Sequence, residues 1–135
     1  MLTHVLKPEH YTQGDAFQSE KHHLFAKAWL PVGAMGQLAK PGDFVSANIG
    51  GWPVLAVHGA DGVTRTLRNT CRHQKMLVTD QAGGHCEHFR CRFHGWTYHL
   101  DGRFRDAPAS VAPADLASIE NHLLPLTTEI GRAHV

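Results

Sequence analysis

A chain of 135 residues, 42% apolar and 19% charged, has the length of one ordinary domain and enough apolar content for a core, which excludes a disordered polymer. A formal net charge of +1 excludes binding to nucleic acid or a membrane surface through bulk electrostatics. Three cysteines are too few for a disulfide scaffold, no apolar run reaches spanning length, and Met-Leu-Thr-His-Val-Leu-Lys-Pro lacks the pattern of a secretory signal. The composition therefore predicts a cytoplasmic protein with no nucleic-acid and no membrane partner. Histidine is the outlier, at twelve residues.

Residues 1–11 show no periodicity and are expected to be an extended lead-in. Thr12 with Asp15 forms an acceptable N-terminal capping pair. Phe17, Leu24, Phe25 and Ala28 then recur at helical spacing, with Gln18, Glu20, Lys21 and His22 on other faces. One amphipathic helix is predicted over about 13–28, closed by Trp29 and Pro31, with Phe25 and Trp29 as core residues. His22-His23 is read as a solvated pair, because adjacent helix positions point about 100° apart and do not face one ligand.

After Pro41-Gly42 the pattern changes to strands. Asp43 to Ile49 alternates loosely, Gly50-Gly51 makes a tight hairpin, and Trp52 to His58 returns. Gly59-Ala-Asp-Gly62 is a second turn, and Val63 to Thr70 is a third strand. Gly83-Gly84 is read as a separator before a strand at about 86–91, and short strands follow over Thr97 to Leu100 and through Phe104, with a turn at Asp101-Gly102. Such a series predicts a mainly β protein, an antiparallel sandwich or small barrel preceded by one N-terminal α-helix. From Ala107 onward, Pro108, Pro113 and several alanines predict a linker with a weak helix around 114–120.

The chemistry lies in two short Cys/His pairs. Asn69-Thr-Cys71-Arg-His73 is followed, with seventeen residues between, by Cys91-Arg-Phe-His94-Gly-Trp96. Cys-x-His with Cys-x-x-His-Gly-Trp resembles the Rieske [2Fe-2S] domain of ring-hydroxylating oxygenase α subunits. The resemblance implies that Cys71 and Cys91 bind one iron of the cluster and His73 and His94 the other. It extends over roughly residues 11–105: Tyr11-Thr12, Phe17, Glu20, Leu24-Phe25, Trp29, Val32-Gly33 and Pro41-Gly42-Asp43-Phe44 are similar to the segment that precedes the cluster in those subunits. The expected organisation is an N-terminal extension over 1–40 with one helix packing on the domain, a Rieske domain over 41–106 with two cluster-binding loops, and a linker and tail over 107–135.

The implied function is one-electron transfer, with a ferredoxin or flavin reductase as donor and a mononuclear non-heme Fe(II) as acceptor. In the family that iron lies in a second domain, held by two histidines and a carboxylate, and the subunits form a homotrimer or α/β hexamer. His122 and His134 with Asp115 or Glu120 make no convincing triad, so the expectation is a chain truncated before its catalytic domain and not catalytically competent alone. The stretch Glu129 to Val135 back-translates as GAG ATC GGA AGA GCA CAC GTC and resembles a sequencing adapter. The gene is accordingly expected to be cut at about Thr128, with artefactual last residues. Two alternatives stand beside this reading: a stand-alone Rieske ferredoxin, and a structural zinc site, since Cys₂His₂ is also tetrahedral zinc chemistry.

Four details of the loops bear on the chemistry. Cys86-Glu87-His88 is also Cys-x-His, but only two residues separate His88 from Cys91, too few for two opposed loops, so Cys86 is expected to be a half-buried free thiol. The family's glycine two positions past the first histidine is Lys75 here, which costs about 1 kcal/mol or more if that position needs a positive φ. High-potential Rieske proteins carry an extra disulfide and a serine by the cluster, where this sequence has Met76, Phe93 and Trp96. That predicts the lower part of the window of about −150 to +300 mV. Arg72, Lys75, Arg90 and Arg92 predict a basic rim.

Overall fold

The computed structural model describes residues 6–131. The chain divides into two compact units, Met1–Pro31 and Val32–Val135.

In the first unit, α1 (Glu9–Thr12) and α2 (Gly14–Glu20) are followed by a π-helical turn at Lys21–Phe25, closed by Ala26 N–H donating to the Lys21 carbonyl at 3.1 Å. The sequence places a helix in this region correctly, but two details differ. Part of the lead-in is helical, and Thr12 is not a cap: its hydroxyl donates to the Pro8 carbonyl at 3.2 Å and Gln13 stands at the cap position of α2. Phe25 is not a core residue, and neither is Trp29, which is 65% exposed. Helices this short supply no second layer of their own to cover an apolar stripe, and none of the three helical segments has a buried residue.

The second unit is built from antiparallel strands in two sheets. β1 (Asp43–Ile49), β2 (Trp52–His58), β3 (Thr64–Arg68), β4 (Gly83–His85) and β8 (Pro125–Leu126) form one, in the order β4-β1-β2-β3-β8. β5 (Phe89–Arg90), β6 (Thr97–Tyr98) and β7 (Phe104–Asp106) form the other. Gly50 and Gly51 join β1 to β2 with φ of 57° and 83°, the paired positive values that a two-residue hairpin of this hand requires. Strand alternation then sorts the side chains. Phe44, Leu55, Val57 and Leu67 point to the main core with Phe89, Tyr98 and Phe104 of the small sheet, where Phe44 and Phe89 meet edge to face at 5.4 Å. Val45 and Ala56 point the other way, onto Leu38.

Two stretches depart from the sequence expectation. Gly83-Gly84 is a strand paired with Val45 and Phe44 and not a separator; ladder bonds need no side chain, and a Cβ on Gly83 would sit 3.0 Å from the Phe44 carbonyl oxygen. The segment after Ala107 folds back instead of leaving as a linker. Leu123 lies in the main core, β8 pairs with β3, and the predicted helix at 114–120 is a short 3₁₀ turn at Ile119–Asn121. Of the adapter-like tail, residues 132–135, His134 among them, lie outside the described residues, as do residues 1–5 of the expected lead-in. Among the described residues no helix is long and apolar enough to cross a membrane.

Candidate metal centre

The two loops that carry the Cys/His pairs close in the same way. In the first, Lys75 N–H donates to the Cys71 carbonyl at 3.0 Å and Cys71 N–H to the Met76 carbonyl at 2.7 Å. In the second, Gly95 N–H donates to the Cys91 carbonyl at 2.9 Å and Cys91 N–H to the Trp96 carbonyl at 2.8 Å. The fifth residue of each is left-handed, Lys75 at φ 61° and Gly95 at φ 76°. Lys75 thus stands in the backbone conformation that the missing family glycine would have occupied without strain.

This geometry brings the two imidazoles together. His73 Nδ1 and His94 Nδ1 lie 3.1 Å apart, with the rings edge to face at 4.8 Å. Cys71 and Cys91 are both buried free thiols. Burial pushes the Cys71 thiol up, the Tyr98 hydroxyl and the His73 backbone N–H favour its thiolate, and Cys91 opposes it. The imidazoles therefore meet as one pair, and the two buried thiols act on each other as a second. Among the described residues, no group of three or more His, Cys, Asp or Glu side chains is placed to hold a single ion.

Two residues around the loops have roles that the sequence reading did not assign. Tyr98 is fully buried; its hydroxyl accepts from Arg72 N–H at 3.0 Å and lies 3.1 Å from Cys71 Sγ, which leaves its proton free for the sulfur. Burial, and then Cys71, hold its phenol far above the ordinary range. The signal was present, since Tyr98 follows Trp96 at strand spacing and a buried tyrosine needs a partner for its hydroxyl. Asn69 is the second. It accepts from Val78 and Thr79 N–H at 3.1 Å each and donates to the Thr79 carbonyl at 2.8 Å, stapling the two ends of the first loop.

Cys86 is half-buried, its thiol pushed up to about 11 by burial. The basic rim is smaller than the sequence suggests, because Arg92 is paired with Asp80 at 2.9 Å; Arg72 keeps its charge, its Nε donating to the neutral Glu120 carbonyl at 2.8 Å. An open recess beside the second loop is lined by Arg90, Arg92, Phe93 and Pro108.

The model of the Rieske [2Fe-2S] domain matches residues 28–122. The chain belongs to the Rieske [2Fe-2S] domain family. This Rieske domain is 36% identical over 101 residues to the chlorobenzene dioxygenase α subunit of Cupriavidus sp. (strain PS12), covering 75% of the chain and 22% of that protein. It is 32% identical to the carnitine monooxygenase oxygenase subunit of Escherichia coli (strain K12), covering 88% of the chain and 32% of that protein. A solved quaternary ammonium Rieske monooxygenase superposes with a TM-score of 0.79 at 28% identity, over 90% of this chain and 33% of that one. The fold is therefore Rieske-type, of the branch found in oxygenase α subunits, and the chain spans about a fifth to a third of the length of the relatives it matches. Family membership implies a [2Fe-2S] cluster, and the paired donor set fits one.

Proposed function

We propose that this domain carries single electrons through a [2Fe-2S] cluster as the N-terminal part of an oxygenase α subunit, with Cys71 and Cys91 on one iron and His73 and His94 on the other. The observation that carries the assignment is the 3.1 Å approach of the two Nδ1 atoms beside two buried thiols. A tetrahedral zinc ion would need all four donors on one centre at about 2.0–2.3 Å, whereas these arrive as like pairs, which favours a two-iron group. When bound, the cluster supplies a one-electron couple, and neutral imidazole in place of thiolate raises its potential.

The chain's own residues prepare that couple. The backbone closures and Asn69 fix both loops before any metal enters. Burial of Cys71 and Cys91 keeps water from the thiolates, and the Tyr98 hydroxyl donates toward Cys71 Sγ. The lack of a loop disulfide and the apolar Met76, Phe93 and Trp96 place the midpoint in the lower part of the window of about −150 to +300 mV. The electrons come from a ferredoxin or flavin reductase in the cytoplasm, and an acidic donor docks on the rim through Arg72, Lys75 and Arg90. The acceptor is a mononuclear Fe(II) held by α-subunit residues outside these 135, in a homotrimer or α/β hexamer; electron transfer between subunits is described for the quaternary ammonium monooxygenase. Iron and acid-labile sulfide analysis of anaerobically purified protein, followed by redox titration, tests this. Two irons, two sulfides and a midpoint below about +100 mV, well inside the Rieske range, are expected; zinc in place of iron, or a higher midpoint, contradicts it.

A further inference from the structure

Each imidazole at the centre has an aromatic neighbour, and both neighbours come from the second loop. Phe93 leans on His94 with centroids 4.0 Å apart at 46°, but it is 55% exposed. Trp96 lies almost parallel to His73, at 11° and 5.1 Å, and is buried. Its indole is held on every side: N–H donates to the Val111 carbonyl at 2.8 Å, Phe104 packs edge-on at 4.9 Å, and its own carbonyl closes the second loop on Cys91. The first loop has no such wall of its own. Met76, which occupies the place of Trp96 there, is 50% exposed, and Lys75 before it is strained.

We propose that Trp96 is a positioning residue for His73, a rigid wall presented by the second loop that fixes the ring plane of the first loop's imidazole. The inference rests on the reading of His73 as a cluster ligand and extends it. The second torsion of histidine is broad and roughly two-fold, so the backbone of loop one does not by itself aim Nδ1. A ligand has to be held to within about 10–20° to serve a metal, and a parallel indole that cannot rotate removes the misaligned orientations. His94, beside exposed Phe93, lacks an equally fixed wall, so the two imidazoles respond differently to the loss of Trp96.

The test uses the cluster-loaded full chain with ¹⁵N-histidine, reduced, and pulsed EPR that resolves the two imidazole nitrogen couplings. Trp96→Leu removes the stack, and Trp96→Phe keeps a buried ring while losing the bond to Val111. Leu123→Ala truncates a core leucine that packs over Gly102 and serves as the control. One coupling is expected to change in both Trp96 variants while the other stays, with cluster loss to a chelator about three- to tenfold faster in Trp96→Leu, the range an aromatic pair supplies. Leu123→Ala is expected to keep both couplings. If Trp96→Leu does not fold, Trp96→Phe decides alone. Couplings that superpose on the wild type, that move together, or that shift equally in Leu123→Ala overturn the proposal. A wild type that binds no iron sinks the cluster reading and this one with it, whereas a loaded wild type with unchanged variants sinks this one alone.

Discussion

Loop Cys71–Met76 and loop Cys91–Trp96 share one hydrogen-bonded frame but fill it differently. The histidine is third in one and fourth in the other. The left-handed position is lysine in one and glycine in the other, and the closing residue is an exposed methionine against a buried tryptophan. The second loop is thus relaxed at its turn and anchored in the core, while the first is strained at Lys75 and held from outside. Asn69 staples it, Tyr98 receives its Arg72 amide, Glu120 accepts its Arg72 guanidinium, and Trp96 walls its imidazole. The backbone frame is indifferent to where the histidine falls. What differs between the loops is which outside groups aim it.

The largest effect expected is one in which the loops do not differ. Alanine at Cys71, His73, Cys91 or His94 removes the cluster, read as loss of visible absorption and of sulfide, while Cys86→Ala leaves both in place. A Cys86 variant without iron would break the two-pair assignment.

The turn positions should respond in opposite directions. Gly95→Ala forces a side chain into a left-handed backbone 3.3 Å from Pro108 Cγ and is expected to lower stability by about 1–2 kcal/mol. Lys75→Gly relieves the same strain but adds freedom to the unfolded chain, for a net gain of up to about 1 kcal/mol. Denaturant unfolding measures both. If Lys75→Gly destabilises, the strain assigned to the first loop is absent.

The Tyr98 hydroxyl lies within hydrogen-bond reach of the first loop's sulfur, and Tyr98→Phe should lower the midpoint potential, because it removes a donor from the thiolate. A shift on the order of 50 mV is expected, close to a tenfold change for one electron; no shift means the hydroxyl donates elsewhere. Away from the loops, Asp61→Asn should cost little at neutral pH. Arg65 holds the Asp61 carboxyl down at about 2 from an ordinary 3.8, so its contribution is present above the ordinary value. It fades as pH falls from about 4 toward about 2, and the melting temperatures of variant and wild type should converge over that interval.

Much of this was legible in the sequence where side-chain identity forces the outcome. Alternation gave β1, β2 and β3 nearly to the residue, Gly50-Gly51 gave the hairpin, the two Cys/His pairs gave the loops, and the absent glycine pointed to Lys75. Backbone-only structure was not legible: β4 is made largely of glycines, and its pairing depends on a close approach to Phe44 that no pattern encodes. The return of residues 119–126 was hidden by the prolines and alanines around it, since one buried leucine, Leu123, and two strand residues carry the contact. Tyr98 and Asn69 were visible as residues, but their partners are set by tertiary contact. Phe25 and Trp29 show the converse, a helical stripe with no layer of its own unit to cover it.

The central claim is that two imidazoles and two thiolates divide between two irons. Pulsed EPR of the reduced, ¹⁵N-histidine-labelled protein addresses it directly. Couplings from two distinct histidine nitrogens are the predicted result. A spectrum with no histidine coupling, or with a single histidine coupling, would contradict it.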